Sequence, residues 1–404
     1  MKKVLIFSLG YYPNVAGGAE PAIREITNRI HDIEFHLIAN RYDSTLPKEE
    51  KFENIYVHRI GIATKNSSFN DLKKFPLHLN KPLYQFLAAL KAIQLHRKYK
   101  FDAIWAVMAH SAGVPAALFK LSHPKVGYVL SLQEGDPPGH VEKVMKPLWP
   151  LFTRSFTLAD VVQPISTFLL DWARRRGVPD EKIVLIYNGA NPKNLNEEYD
   201  PHEAQAAANA LGKKPGDVYL LNASRLVHQK GNDDTVRALQ HLPENVHLVL
   251  IGTGEDEKMI QTLAKELKVE SRLHLLGRME REQVPTYRNP VFADIYVTPS
   301  RSEGLQLSSL SAMAARLPLI ATQEGGLSEY VWDKKHNPDK PQTAWVVDAN
   351  APEQIAQKVM EILNNPDTVK EVVTTSRTMV ETSYNWDNIA KDMRTKVFER
   401  VFNL

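Results

Sequence analysis

The stretch "ADIYVTPSRSEGLQLSSLSAMAARLPLIAT", residues 293–322, decides the fold class. It reads as an apolar strand, a turn through Glu303 and Gly304, a helix rich in Ala and Ser, and a second apolar strand. Short apolar strands that alternate with helices are typical of a parallel sheet covered by helices. Such sheets bind ligands beyond the carboxyl ends of their strands, which is where Glu303 is expected to lie.

The same alternation runs along the whole chain. Strand candidates of the first half are "KVLIFSLG", "EFHLIAN", "IYVHRI", "AIWAVMA", "VGYVLSL", "DVVQPIS" and "IVLIYNG". A polar, proline-bearing linker follows at residues 190–216, and the pattern then restarts with "VYLLNAS" and "VHLVLIG". We therefore expect an α/β fold of two doubly wound, Rossmann-like domains at residues 1–192 and 193–385. A last helix, residues 386–404, has no sheet of its own and is expected to pack back on the N-terminal domain.

Length and composition fit a two-domain protein outside the membrane. The chain has 404 residues, of which 43% are hydrophobic and 24% are charged, and it contains no cysteine. A single core rarely organises that many residues, and the absence of cysteine excludes disulfides and thiolate metal sites. The N-terminal apolar run is too short for a signal peptide, and no stretch approaches the roughly 20 apolar residues of a membrane span. We predict a cytoplasmic protein.

Charge is distributed unevenly. Residues 1–190 hold 25 Lys and Arg against 17 Asp and Glu, whereas the remainder holds 25 against 30. The excess concentrates in residues 61–154, with 13 basic and 5 acidic residues. Such a basic face attracts an anionic acceptor or the anionic inner face of a membrane, or it is simply a solvated surface. No interleaved basic and aromatic residues indicate a nucleic-acid partner.

Two glycines follow the first strand and open the first helix. Gly17 and Gly18 allow backbone N–H groups to approach an anion at a helix N-terminus, although a tight turn needs glycine equally. The chain has no Gly-x-Gly-x-x-Gly fingerprint, which argues against a nicotinamide enzyme.

Two cations follow the strand "VYLLNAS". Arg225 comes directly after it and Lys230 lies five residues further on, before a glycine that starts a helix. A guanidinium fork beside an ammonium group suits a diphosphate, whereas two solvated surface cations are the alternative.

Two later junctions of the same half also carry candidate ligand contacts. Gly252 and Gly254 in "LIGTGEDEK" permit close approach by a flat or phosphorylated ligand. Arg278 occupies the turn after the next strand, where recognition of a base and a purely structural turn are both open.

Taken in order, these motifs carry a resemblance. They are "GGAE" at 17–20, "YNGAN" at 187–191, "SRLVHQKG" at 224–231, "GTGE" at 252–255, "PSRSEGLQLSSLSAMAARLP" at 299–318 and "GGLSEYV" at 325–331. The chain resembles the family 4 retaining glycosyltransferases of the GT-B fold, in which two Rossmann-like domains face a central cleft. The resemblance covers nearly the whole sequence.

The resemblance implies transfer of a sugar from a UDP-, GDP- or ADP-sugar to a hydroxyl acceptor, such as a glycan or a lipid-linked saccharide. It implies retention of the anomeric configuration and no metal or other cofactor, because Arg225 and Lys230 offset the diphosphate charge. Glu303 would orient the donor sugar, and Gly17 and Gly18 would reach the donor across the cleft. The donor side would also include Gly304, Leu305 and Gln306.

The chain departs from the family pattern at three places. Ser311 stands where the family has a second Glu, which holds the ribose hydroxyls. "QEGDPPG" replaces a frequent His, so that Glu134 or Asp136 would lie near the reacting carbon. Asn191 ends "NGAN", where Asp is usual.

Two other functions remain open. A sugar-nucleotide epimerase shares the two-domain architecture and would consume a nucleotide sugar without an acceptor. A degenerate nucleotide-sugar-binding protein would fit the loss of the second Glu and of the His. The joint presence of Arg225, Lys230 and Glu303 weighs against degeneration.

Overall fold

The computed structural model describes residues 1–13, 15, 17–67 and 69–403. The chain divides into two compact units, one formed by Met1–Asn188 with Trp386–Leu404 and the other by Gly189–Asn385. The division thus falls before residue 192, because the Ala190 N–H donates to the Tyr384 carbonyl within the second unit.

The first unit contains a seven-stranded sheet among its described residues. Its strands are β1 (Lys2–Phe7), β2 (Ile33–Asn40), β3 (Glu49–Phe52), β4 (Ile55–Ile60), β5 (Ala103–Val107), β6 (Gly127–Leu132) and β7 (Val161–Pro164). They lie in the order β3-β4-β2-β1-β5-β6-β7, and only the β3–β4 pair is antiparallel. Strands buried on both faces read as continuous apolar runs, as β5 does with all its residues buried.

Helices cover this sheet. They are α1 (Ala19–Thr27), α2 (Asn80–Tyr99), α3 (Val114–Ser122), α4 (Pro138–Met145), α5 (Trp149–Thr157) and α6 (Thr167–Arg175). The longest of them, α2, ends at Tyr99 and is followed by Lys100, which adopts a left-handed conformation. No helix of the described residues is long and apolar enough to cross a bilayer.

The second unit contains a fully parallel sheet. Its strands are β8 (Val218–Ala223), β9 (Val246–Ile251), β10 (Leu273–Leu275), β11 (Ile295–Thr298), β12 (Leu319–Ala321) and β13 (Trp345–Val346). Their order, β10-β9-β8-β11-β12-β13, places β8 and β11 side by side at the centre. The order of strands reverses there, and doubly wound sheets bind ligands at such a reversal.

The helices of the second unit pack on both faces of that sheet or flank it. They are α7 (Pro192–Leu195), α8 (Pro201–Ala210), α9 (Asn232–Ala238), α10 (Glu257–Glu266), α11 (Val284–Tyr287), α12 (Leu307–Ala314), α13 (Pro352–Asn364) and α14 (Pro366–Ser383).

The C-terminal segment completes the core of the first unit. It comprises α15 (Trp386–Asp392), a π-helical segment (Met393–Phe398) and α16 (Glu399–Phe402). Phe398 is fully buried and meets the ring of Trp105 edge-on at 5.4 Å. A side chain at Gly127 would clash with the Val401 carbonyl, so β6 accepts the segment only because it begins with glycine.

The sequence mispredicted three elements. Residues 183–189 form no strand, although the N–H groups of Val184 and Ile186 donate to the carbonyls of Val162 and Pro164 in β7. The strand β3 went unrecognised because its sequence, EEKF, is short and polar and lies at the sheet edge. The long α14 also went unrecognised, since its Thr and Val residues mask the helical period.

Candidate active site

The loops after β8 and β11 meet at the carboxyl edge of the second sheet. Arg301, in the loop after β11, donates to Asp233 Oδ1 over 2.9 Å and to Asp234 Oδ2 over 2.8 Å in the first turn of α9. Gln229 Nε2 donates to the Ser302 carbonyl over 2.7 Å. These contacts hold the loop that carries Lys230 against the loop of Glu303.

Glu303 is a buried carboxylate whose position is fixed by three donors. Its side chain is 3% exposed, and its Oε1 accepts from Lys230 Nζ at 2.5 Å, from Ser300 Oγ at 2.8 Å and from Gln306 Nε2 at 2.9 Å. All three contacts go to Oε1, and no described residue donates to Oε2. One carboxylate oxygen of Glu303 is therefore left without a donor among the described residues.

Lys230 and Arg225 differ in their surroundings. Lys230 is buried and paired with Glu303, and an ammonium group has three donors, so two remain for other acceptors. Arg225 follows β8 directly and is exposed, and its guanidinium makes no hydrogen bond or ion pair with any described residue. The structure thus brings Lys230 and Glu303 together and leaves Arg225 open to solvent at the same edge.

Gln306, Leu305 and Gly304 lie in the buried loop before α12. Gln306 Nε2 also donates to Thr298 Oγ1 over 2.8 Å, while its Oε1 is buried with no partner among the described residues. A side chain at Gly326 would lie 1.9 Å from the Gly304 carbonyl. The glycine pair of "GGLSEYV" is therefore a packing requirement of the Glu303 loop.

The glycines Gly252 and Gly254 have a packing role that the sequence did not suggest. A Cβ on Gly252 would lie 1.9 Å from the Ser224 carbonyl, and one on Gly254 would lie 1.9 Å from the Leu226 carbonyl. The backbone on either side of Arg225 therefore lies where a side chain at either glycine would be. These glycines hold the loops after β8 and β9 together and so position Arg225.

Ser311 is 3% exposed, and both its contacts are internal. Its Oγ donates to the Leu307 carbonyl at 2.6 Å and accepts from the Asn191 N–H at 2.9 Å. The hydroxyl thereby ties α12 to the start of α7. Because its proton is committed within the helix, it offers a ribose only a remaining lone pair.

Arg278 is exposed in the turn that follows β10, whose partner is β9. The turn is made by Gly277, which adopts a φ of 69°.

Sequence reasoning missed a buried arginine near this edge. Arg288 is 6% exposed, donates from Nη2 to Ser308 Oγ at 2.8 Å, and forms no ion pair with an acid among the described residues. Burial lowers the pKa of its guanidinium. Ser308 in turn donates to the Ala223 carbonyl at 2.7 Å, so this group supports the end of β8. Arg288 Nη1 donates to Asn194 Oδ1 at 3.3 Å, and no sequence pattern marks an arginine whose partners are uncharged.

In the first unit, Glu134 follows β6 and is 1% exposed. Its Oε1 accepts from the Ala109 N–H at 2.5 Å and lies 3.5 Å from His110 Nδ1, after the neighbouring β5. Its Oε2 and His110 Nδ1 are both buried without a hydrogen-bond partner among the described residues. The sequence reading missed His110, which only the pairing of β5 with β6 brings to Glu134.

Asp136 lies two residues beyond Glu134 and is half-buried. It makes no hydrogen bond or ion pair with any described residue. The two acids offered by the sequence are therefore unlike, since Glu134 is fixed within a polar cluster and Asp136 is not.

Gly17 and Gly18 are exposed at the start of α1. The Gly17 N–H donates to Glu20 Oε2 at 3.2 Å, and a Cβ on Gly17 would meet no atom within 4 Å. Asn14 and Ala16 of the same loop lie outside the described residues. Among the described residues, nothing crowds Gly17.

Metal ligands are a separate question. Within the described part of the chain, no three or more His, Cys, Asp or Glu side chains are grouped so that they could hold a metal ion.

Comparison with known proteins identifies the family. A model described as Glycosyltransferase Family 4 matches residues 16–194, and one described as Glycosyl transferases group 1 matches residues 203–379. The chain belongs to glycosyltransferase family 4. The family consists of sugar-transferring enzymes, so the chain is a glycosyltransferase.

Sequence relatives match the glycosyltransferase to different extents. An uncharacterised glycosyltransferase of Methanocaldococcus jannaschii is 26% identical over 99% of this chain and 98% of its own length. A GDP-mannose-dependent alpha-(1-6)-phosphatidylinositol monomannoside mannosyltransferase of Mycobacterium tuberculosis is 31% identical over 45% of this chain. The matched part spans 46% of that relative, or about half.

Solved structures share the GT-B fold of the glycosyltransferase. Sucrose-phosphate synthase of Thermosynechococcus elongatus superimposes with a TM-score of 0.79 at 19% identity, covering 100% of both chains. Anabaena HepE, solved in complex with UDP and glucose, gives a TM-score of 0.77 at 17% identity over 98% of this chain and 99% of its own. These likenesses concern the fold alone.

Proposed function

We propose that this glycosyltransferase moves a sugar from a nucleoside-diphosphate sugar to a hydroxyl acceptor, with retention at the anomeric carbon and without a metal ion. The observation that carries the proposal is the pair of cations at the carboxyl edge of the second sheet. Arg225 is open to solvent there, and Lys230 is held by Glu303 with two donors to spare. An unpartnered guanidinium beside an oriented ammonium group is complementary to a diphosphate.

The cations would also carry the main electrostatic part of catalysis. When the glycosidic bond of the donor breaks, negative charge grows on the leaving diphosphate. Donors fixed in advance around that charge stabilise the transition state without reorganising. Glu303 fixes Lys230 and presents Oε2 to a hydroxyl of the donor sugar.

For the donor, the named relatives point to UDP or GDP. Anabaena HepE was solved with UDP and glucose, and the Mycobacterium tuberculosis relative is GDP-mannose-dependent. We propose a UDP- or GDP-hexose as donor and a glycan or a lipid-linked saccharide as acceptor.

In the first unit, we propose that Glu134 rather than Asp136 is the acid near the reacting carbon. Glu134 is buried beside His110 with one oxygen unpartnered, which suits a group that meets a substrate hydroxyl. We expect E134Q to lower kcat strongly with little change in nucleotide affinity, and D136N to change kcat less. Equal losses in the two variants would contradict this choice.

Calorimetric titration with UDP, GDP and ADP tests the cation assignment. The main variant is R225A, because Arg225 has no protein partner and its removal leaves no buried charge. We expect R225A to weaken the preferred nucleotide by roughly ten- to hundredfold, the value of a charged hydrogen bond. The matched control is K265A, an exposed cation on α10, which should leave affinity unchanged.

Lys230 needs a paired design, because K230A alone would strand the buried carboxylate of Glu303. The double variant K230M/E303Q removes both charges while keeping their volume. We expect it to fold and to lose nucleotide affinity.

Three further readouts address the chemistry. NMR of the product anomeric proton reports retention, and an inverted product would contradict the mechanism. Transfer that survives EDTA supports metal independence, and its abolition refutes it. Consumption of the donor without any acceptor would favour an epimerase.

A further inference from the structure

Helix α2 presents an apolar stripe to solvent. Leu83, Phe86, Leu87 and Leu90 are 39%, 47%, 38% and 64% exposed, and Phe75 in the preceding turn is 82% exposed. Their spacing of three and four residues puts the four helical positions on one face. The opposite face packs against the sheet through Tyr84, Ala88 and Ala92, which are buried. A helix that is apolar on both faces needs a partner for the outer one.

The charge around the stripe indicates what that partner is. Residues 73–100 contain seven Lys and Arg and no Asp or Glu. Arg97 and Lys98 are exposed on the C-terminal continuation of the stripe, and Lys81 is exposed in the first turn of α2. Two of the seven cations are paired with acids outside the segment, Lys74 with Asp71 and Lys91 with Glu49, whereas Lys81, Arg97 and Lys98 form no ion pair with any described residue. An apolar face of Phe and Leu beside such a cationic excess matches the surface of an anionic bilayer. A protein partner is not indicated, because nothing on the stripe pairs with specific polar groups.

The stripe also lies next to the functional edge of the first sheet. Tyr84 Oη donates to the carbonyls of Ser8 and Ile38, at the carboxyl ends of β1 and β2. Gln85 Nε2 donates to the His110 carbonyl over 3.1 Å, and His110 adjoins Glu134. The N-terminal half of α2 therefore connects the exposed apolar residues with the cluster proposed to meet the reacting sugar.

We infer that the outer face of α2, from Phe75 to Lys98, docks on an anionic lipid surface and brings a membrane-borne acceptor to the first unit. The apolar side chains insert at the headgroup boundary, and the cations contact lipid phosphates. This deepens the proposed function, because it makes the acceptor a lipid-linked saccharide. The basic charge of this region explains only attraction to an anionic membrane, whereas the apolar stripe of α2 also explains insertion into it.

Co-sedimentation of the full chain with large vesicles tests the inference. One set is phosphatidylcholine alone and the other is equimolar phosphatidylcholine and phosphatidylglycerol. We expect binding to the anionic vesicles that weakens but persists as salt is raised, because insertion is not screened. The triple variant L83S/F86S/L90S should lose at least about tenfold in vesicle affinity. The control M259S/L363S replaces equally exposed apolar residues of the second unit and should bind like the unmodified chain.

Other outcomes overturn the inference. These are no binding to anionic vesicles at low salt, equal binding by the triple variant, or a dimer in light scattering that becomes a monomer in the triple variant. Nucleotide titration of the same proteins keeps the two proposals apart. Unchanged nucleotide affinity beside absent vesicle binding refutes the docking face alone, whereas absent nucleotide affinity refutes the proposed function.

Discussion

Ser311 stands where the family has a second Glu, and its hydroxyl makes contacts only within the second unit. It bonds to the Leu307 carbonyl and to the Asn191 N–H, so it joins two segments of the second unit. Asn191 is itself a departure from the family motif. The resemblance placed Ser311 at the family's ribose-binding position, and no local pattern predicts its contact with Asn191, which lies 120 positions earlier in the chain.

We predict that S311A lowers stability and leaves nucleotide binding nearly intact. Removing the hydroxyl leaves the buried Asn191 N–H without an acceptor, which costs about 1–3 kcal/mol in the free energy of unfolding. Thermal unfolding and nucleotide titration measure the two effects. The control is T374A, which removes an exposed hydroxyl bonded only within α14. A tenfold loss of nucleotide affinity in S311A would mean that the hydroxyl contacts the ribose.

Lys230 and Glu303 were each predicted as site residues, but the ion pair between them was not predicted. Both follow strands, and this placed them at one edge of the sheet. Their direct contact depends on β8 and β11 being neighbours, which no local pattern reveals.

At the scale of the elements, the loops after β8 and β9 pack closely because Gly252 and Gly254 have no side chain there. We predict that G254A destabilises the second unit by at least about 2 kcal/mol, because its Cβ would lie 1.9 Å from the Leu226 carbonyl. The control is G139A in α4, where a Cβ meets nothing within 4 Å and alanine favours the helix. Denaturant unfolding measures both. An unchanged midpoint for G254A would contradict the packing role.

The strands β2 and β4 carry a second testable feature, a buried pair of histidines. His36 Nδ1 lies 3.0 Å from His58 Nε2, and both rings are almost fully buried. Burial lowers the pKa of His58 from 6.5 to about 4 and also lowers the pKa of His36. Glu34 and Glu49, which contact the outer nitrogens, oppose these shifts without cancelling them.

The direction of the pH dependence of stability follows from which state of the chain binds more protons. Between pH 6.5 and about 4 the unfolded chain binds protons that the folded pair refuses, so the free energy of unfolding falls as the pH drops. The slope is at most about 1.4 kcal/mol per pH unit for each histidine. Urea unfolding across this range should show that H58Q flattens the slope, whereas H202Q, at an exposed histidine, does not. An equal slope in H58Q would place the pH dependence elsewhere.

For the elements as a whole, sequence patterns predicted the parallel strands and most helices, because buried parallel strands and amphipathic helices have distinct periods. The polar edge strand β3 has no such period and was not predicted. The exposed apolar stripe of α2 was not predicted either. Both faces of α2 are apolar, and sequence alone does not tell which face the sheet covers.

At the scale of the whole molecule, the C-terminal segment from Trp386 packs into the core of the first unit, and Phe398 is one of its buried residues there. We predict that F398A lowers the free energy of unfolding of the first unit by about 3–5 kcal/mol, because a fully buried aromatic ring is lost. The control is F402A, the same change at a half-buried residue four positions later, which should cost less. Differential scanning calorimetry measures the effect. Equal effects would show that the segment does not complete the core.

That packing of the C-terminal segment sets the order in which the molecule can be made. A ribosome releases Met1–Asn188 long before it releases Trp386–Leu404, so the first unit waits with an uncovered core while the second unit forms. Trp386, Met393 and Phe398 reach that core only after the second unit has been synthesised. A premature stop just before Trp386 would therefore leave the first unit unable to finish folding, although it is synthesised before the second.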